Sequence, residues 1–166
     1  MRTFSLLLLS GALAAQSAAF TPFGTACAFQ AQTLAIGNQG LPVIGTSFQI
    51  TYAGPNFTFS SGQQIARPFL VLGLGTSVTP IPATLLPQQP VGCQGFITPD
   101  VLLDTPVNPT QPEYENFVTI NVPSSPTLAG FLFHAQWMTL IQQCGFSGCG
   151  LAAIPTSDAA TVLVGF

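Results

Sequence analysis

Charge is the scarcest property of this sequence. Only 4% of its 166 residues are Asp, Glu, Lys or Arg, whereas soluble domains usually carry about 25%. Lysine is absent, and the two cations are Arg2 and Arg67. A nucleic-acid surface needs several Lys or Arg side chains to neutralise phosphates, so the composition excludes a nucleic-acid partner. It also argues against electrostatic binding to acidic membranes.

Histidine is nearly as scarce, and this limits the available chemistry. His134 is the only histidine, so a Ser–His–acid triad would have to use it. No G-x-S-x-G elbow occurs, and the nearest segment, "GFSGC" at 145–149, lacks the final glycine. Zinc sites repeat a short Cys pair or add histidines, and here one C-x4-C stands alone. We therefore predict no catalytic residue, no cofactor and no metal site.

The first residues have the features of a secretory leader. Arg2 supplies the positive charge, an apolar run follows, and small residues lead up to Ala19. The run is too short to span a bilayer of about 30 Å, so we expect no membrane span in the mature chain. We predict a signal peptide over 1–19 and a single domain over 20–166. A cut after Ala14 fits the preceding Ala-Leu-Ala triplet almost as well.

Four cysteines follow the leader. An even number of cysteines in an exported chain indicates two disulfides, for which three pairings are possible. We favour Cys27–Cys93 and Cys144–Cys149. The second pair is separated by "GFSG", a natural tight turn that brings its ends together.

The mature region is punctuated by prolines and glycines and shows no sustained helical period. "TSFQITYAG" alternates, with Phe48, Ile50 and Tyr52 on one face. "RPFLVLGLG" is apolar on both faces, as in a central strand. The pattern predicts an all-β, mainly antiparallel β-sandwich of the Ig-like or jelly-roll-like kind, with seven to eight strands. A sheet that closes on itself is the alternative.

The segment "GFLFHAQWMTLI" holds both the histidine and the only tryptophan. A period of two places Trp137 on a face that is almost entirely apolar and His134 on the opposite face, beside Gln136 and Met138. We predict that Trp137 fills the core and that His134 lies near the surface in a structural role.

A few side chains are candidates for contacting a ligand. Sugar-binding surfaces need exposed aromatic rings, and we name as candidate ligand-facing residues Tyr52, Phe57, Tyr114 and His134. The acids of the loop from Asp100 to Glu115, namely Asp100, Asp104, Glu113 and Glu115, could supply oxygen ligands to calcium or could simply be solvated. Paired carboxylates for glycoside hydrolysis are the less favoured reading of the same residues.

Four segments also resemble a known group of proteins. They are "PFLVLGLGTS", "VGCQGFITPD", "NVPSSPTLAG" and "FLFHAQW", in this order. Together they resemble secreted, low-charge proteins and C-terminal domains of planctomycete-like bacteria over about residues 30 to 166. The resemblance implies a secreted β-sandwich. It implies no activity and assigns no functional residue, because we know of no established activity for that group.

The leader, the paired cysteines and the low charge together indicate a function outside the cytosol. We predict a secreted, non-catalytic β-sandwich with a structural, adhesive or surface-assembly role. Its expected partners are other copies of itself or a cell-surface glycan or protein, because a surface with so little charge repels its neighbours weakly. The alternatives are a carbohydrate-binding module and, less favoured, a secreted hydrolase that uses His134 or the acid loop.

Overall fold

The computed structural model describes residues 16–53, 64–84, 86–105, 116–145 and 148–166. Within these ranges the protein is built from β-strands, and its only helical element is a short 3-10 turn at Pro126–Leu128. Every pairing between these strands is antiparallel, and no sheet closes on itself. The all-β, antiparallel prediction is confirmed at this level.

Thirteen strands make up the described part of the chain. In order they are β1 (Ala19–Phe23), β2 (Ala28–Phe29), β3 (Gln32–Thr33), β4 (Ala35–Gln39), β5 (Ser47–Ala53), β6 (Gln64–Gly73), β7 (Thr76–Pro80), β8 (Gln94–Ile97), β9 (Val101–Asp104), β10 (Asn116–Asn121), β11 (Leu132–Gly145), β12 (Gly148–Ala153) and β13 (Thr156–Leu163). The expected count of seven to eight is wrong. Strands of two to four residues, such as β2, β3, β8 and β9, are too short to show an alternating pattern.

The larger sheet has the strand order β1-β13-β11-β6-β9, with β12 paired to the end of β11. Strand β11 is the longest, at 14 residues, and it lies in the middle. It pairs with β6 from His134↔Gly73 to Gln143↔Gln64 and with β13 on its other side. Both β11 and β6 lie inside the sheet with a strand on each side, and this position explains why their sequences are rich in apolar residues.

A smaller sheet, of order β10-β5-β4, faces the larger one across the main core. The predicted alternation in β5 is confirmed, because Phe48, Ile50 and Tyr52 are all buried in this core. From the larger sheet, Trp137 and Leu70 meet them, both fully buried. The core therefore lies between two antiparallel sheets.

The opposite face of the larger sheet is also covered. The β7–β8 hairpin places Phe96 and Ile97 in a second apolar cluster with Val71 and Ala159. As a result, two residues on the face of β11 that was expected near the surface are buried: His134 is 8% exposed and Gln136 is 1% exposed. The expectation failed because a period within one strand cannot reveal a hairpin that folds over it from elsewhere in the chain.

Both predicted disulfides are confirmed. Cys27–Cys93 joins two segments that are 66 residues apart in the chain, with a Cα–Cα distance of 4.9 Å. Cys144 and Cys149 lie opposite each other on β11 and β12 and form the second bond. In the chain-entropy model the long loop contributes about 4 kcal/mol to stability and the short one about 2 kcal/mol. The long bond also anchors the segment that leads into β8.

Candidate functional site

His134 lies in the middle of the larger sheet, paired to Gly73 on one side and Thr161 on the other. Its Nδ1 is 3.1 Å from the Thr161 hydroxyl, and its ring meets the Phe23 ring edge-on with centroids 5.8 Å apart. Burial lowers the pKa of His134 below its ordinary value of 6.5. Within the described ranges no carboxylate forms an ion pair with it. The imidazole is a packed group whose charged form is disfavoured by burial, and within the described ranges it lacks the orienting acid of a triad.

Tyr52 belongs to the core and not to a binding surface. It is 4% exposed, its ring meets Trp137 edge-on at 5.5 Å, and its hydroxyl is 3.3 Å from the Thr139 hydroxyl. Burial raises the pKa of Tyr52 to about 12, against the lowering effect of the hydrogen bond. A sugar platform requires exposure, which Tyr52 does not have. Phe57 and Tyr114 lie outside the described residues and stay predictions.

The acid loop is described only in part. The Asp104 carboxylate is 2.9 Å from Arg67, and both side chains are about half exposed. The Asp100 carboxylate accepts a hydrogen bond from the Leu74 backbone N–H at 2.7 Å. Glu113 and Glu115 lie outside the described residues. Among the residues that the structure does describe, no three His, Cys, Asp or Glu side chains come together as a metal site would need, and calcium binding here stays open.

Two glutamines that sequence reasoning did not single out hold the fold together. The Gln136 carbonyl oxygen accepts from Phe96 N–H at 2.8 Å, and its amide donates to the carbonyls of Gln94 (3.0 Å) and Ser157 (2.8 Å). One buried side chain thus joins β8, β11 and β13. A polar residue flanked by core positions on a strand was the signal that could have identified it.

Gln89 has the same role at another edge. Its amide donates to the Ile154 carbonyl at 3.2 Å, and its side-chain oxygen accepts from the Ile154 N–H at 2.6 Å. The side chain therefore pairs with the backbone as a neighbouring strand would. It holds the loop before Cys93 against the start of β13.

Two of the four segments that carry the resemblance meet in one backbone lock. Gly73 ends β6 so close to the Thr98 carbonyl that an added Cβ would overlap it. The Thr98 N–H donates to Gly75 and the Asp100 N–H to Leu72, both at 3.0 Å. The Asp100 carboxylate completes the lock by accepting from Leu74. Backbone contacts therefore hold "LGLG" and "TPD" together in this fold.

Comparisons of the chain with protein-family models, with curated proteins and with solved structures find no match. In the described part of the chain, no helix has the length and apolar character needed to cross a membrane.

Replacing Gln136 should show how much its three hydrogen bonds contribute to stability. Gln136→Met keeps the shape but removes the acceptor of the Phe96 N–H and the donor to the Ser157 and Gln94 carbonyls, of which Gln94 keeps a hydrogen bond from the Thr156 hydroxyl. We expect a loss of about 1–3 kcal/mol in the free energy of unfolding. Denaturant titration measures the loss.

Gln143→Met is the control. The Gln143 side chain lies on the exposed part of the same strand, and its one described hydrogen bond, from the Gln88 amide at 2.8 Å, is open to water, so its loss should change stability by less than about 0.5 kcal/mol. Equal effects would contradict the assigned role.

The lock at Gly73 is tested by adding a methyl group. Gly73→Ala forces the Thr98 backbone to move, and overpacking of this kind costs about 1–3 kcal/mol. Gly150→Ala, where an added Cβ meets nothing within 4 Å, is the matched control. Thermal unfolding of the two variants should separate them clearly. An unperturbed Gly73→Ala protein would show that the two segments do not meet as described.

His134 should make stability depend on pH. Because its folded-state pKa lies below the unfolded value of 6.5, the unfolded chain binds the extra proton between the two values. The contribution of neutral His134 to the free energy of unfolding should therefore be fully present above about pH 6.5 and should decrease as the pH is lowered below that value. Thermal unfolding from about pH 7.5 to about pH 5 measures this. His134→Gln should flatten the slope, and an unchanged slope would contradict the assignment.

Proposed function

We propose that this protein is a secreted, non-catalytic β-sandwich with a structural, adhesive or assembly role at the cell surface. Two disulfides support an oxidising compartment, since such bonds form and persist mainly outside the cytosol. The leader-like first residues support export. The two antiparallel sheets that face each other across one core support the sandwich architecture, of the Ig-like or jelly-roll-like kind.

The hydrogen-bond partners of the polar side chains support the proposal that the protein is not a catalyst. Gln136 binds backbone groups of β8 and β13, and Gln89 binds the Ile154 backbone between β12 and β13. The Asp100 carboxylate accepts from the Leu74 N–H, and the Asp158 carboxylate accepts from the Ile36 N–H at 2.9 Å. In the described ranges no buried side-chain N or O atom is left without a hydrogen-bond partner. An active site needs polar groups that converge on a substrate. These groups instead converge on the protein's own backbone.

The surface supports assembly through a sheet edge. Strand β9 pairs only with β6 within the described part, so one of its sides is an edge. Its Leu102 is 64% exposed, and Val101 and Leu74 beside it are also exposed. Proteins usually protect such edges with lysines, prolines, bulges or a very short strand, and of these β9 has its length of four residues. This chain has no lysine to place there, and the one nearby cation, Arg67, is engaged with Asp104. A second copy that pairs along β9 is the partner that fits best.

A pair of charge substitutions tests this proposal. We expect the purified protein to associate as its concentration rises, as measured by sedimentation velocity, because pairing covers the apolar edge. Leu102→Lys should weaken association at least about tenfold, since a desolvated charge at the contact is costly. Val91→Lys is the control, because Val91 is even more exposed, at 89%, but lies in a loop between strands.

Circular dichroism should show that both variants keep the native strand content. A wild-type protein that stays monomeric at high concentration would overturn the assembly proposal. Equal weakening by the two substitutions would show that β9 is not the contact.

A further inference from the structure

Residues ahead of the predicted cleavage point are packed into the fold. The Gln16 carbonyl accepts a hydrogen bond from the Phe166 N–H at 3.0 Å. Gly165 lies so close to the backbone of residues 16–18 that an added Cβ would overlap it, and Gly130 lies equally close to the Gln16 side chain. We call Gln16–Ala19 the N-terminal clasp.

The clasp holds one side of the C-terminal segment, and another part of the chain holds the other side. Gly165 donates to the Pro42 carbonyl at 3.2 Å and accepts from the Ile44 N–H at 2.9 Å. The last residues are therefore held between the clasp and the loop that precedes β5. Loss of the clasp would leave the Phe166 N–H without the partner described here and would open the space beside Gly165.

The clasp also begins a strand that β13 needs. Ala19 pairs with Leu163, and Phe20 with Val162, in the β1–β13 register. Most of β13 is buried, so it requires a neighbour on both sides. Strand β11 is one neighbour and β1 is the other. Removal of Ala19 would shorten β1 at the point where it enters the sheet.

A cut after Ala19 would place a new charge at the edge of the core. The α-ammonium would belong to Phe20, whose side chain packs against the main core and whose register partner, Val162, is fully buried. A charge brought next to buried apolar groups loses hydration and costs free energy. A cut after Ala14 places the ammonium on Ala15 instead, one residue ahead of the N-terminal clasp.

The sequence provides the corresponding processing site. Ala12 and Ala14 place small residues at the third and first positions before the Ala14–Ala15 bond, which is the pattern that signal peptidases recognise. The remaining leader still contains Arg2 and the apolar run. Both features of an export signal are therefore kept.

We propose that a signal peptidase cleaves the Ala14–Ala15 bond, so that the N-terminal clasp stays in the mature protein. Water adds across the amide, which leaves a carboxylate on Ala14 and an ammonium on Ala15. The proposal rests on the proposed secretion of the chain. It revises the mature domain from 20–166 to 15–166.

The N-terminus of the exported protein is the direct test. The full chain is expressed with its own leader in a bacterial host, recovered from outside the cytosol, and analysed by N-terminal sequencing and intact mass. We expect a chain that starts at Ala15. A chain that starts at Phe20 would overturn the inference but leave secretion intact, whereas an uncut chain recovered only from the cytosol would overturn both.

Two substitutions separate the rival sites. Ala14→Leu removes the small residue before the proposed bond and should eliminate the Ala15 N-terminus. Ser17→Leu spoils the rival site, because Ser17 is at the third position before a cut after Ala19, and it should leave Ala15 as the N-terminus. Ser17 is exposed, so its replacement should not disturb packing. If Ala14→Leu left the N-terminus unchanged and Ser17→Leu altered it, the inference would be contradicted.

A stability comparison tests the clasp without relying on the host's own choice of site. Chains that start at Ala15 and at Phe20 are each produced behind an unrelated cleavable leader. The shorter chain should unfold at a lower temperature, and its Phe166 amide should exchange with solvent faster. Equal unfolding temperatures and equal exchange would show that the clasp has no role in the mature fold.

Discussion

The burial of Trp137 between the two sheets is the interaction on which the rest of the structure depends. Its indole N–H donates to the Thr51 carbonyl of β5 at 3.0 Å, so a side chain of the larger sheet bonds to the backbone of the smaller one. Its ring meets Tyr52 edge-on, and its own backbone N–H donates to the Ser157 hydroxyl at 3.0 Å. A buried aromatic side chain contributes a large apolar area, and the satisfied N–H removes the cost of burying a polar group. One residue thus aligns β5, β11 and β13.

The other face of the same strand shows how a chain with few ions can hold three layers together. Here the connections are made by amides and hydroxyls, chiefly Gln136, which bonds to β8 and β13 at once. A neutral amide has a smaller desolvation cost than an ion and can both donate and accept. The only ion pair in the described ranges, Arg67–Asp104, is exposed, and exposed pairs contribute little to stability. The low charge of the sequence therefore fits a fold stabilised by apolar packing, disulfides and neutral hydrogen bonds.

Much of the fold could be predicted from local patterns, and the failures have a common cause. The alternation of Phe48, Ile50 and Tyr52 predicts the buried face of β5, and the spacing of Cys144 and Cys149 predicts their bond, because both are local properties. The burial of His134 and Gln136 could not be predicted, since it depends on a hairpin that is distant in sequence. The same limit applies to the candidate site. The aromatic ring and hydroxyl of Tyr52 predict a ligand-facing residue, but its position opposite Trp137 makes it part of the core. That the chain belongs with secreted proteins of planctomycete-like bacteria stays a prediction.

The Trp137 indole joins the two sheets in a core closed to water, and hydrogen exchange at its N–H measures this closure. Trp137 is the only tryptophan, so its indole N–H gives a single NMR signal that needs no further assignment. We expect this proton to exchange among the slowest in the protein, at the rate of global unfolding. Exchange within the first minutes, as for an exposed indole, would contradict it.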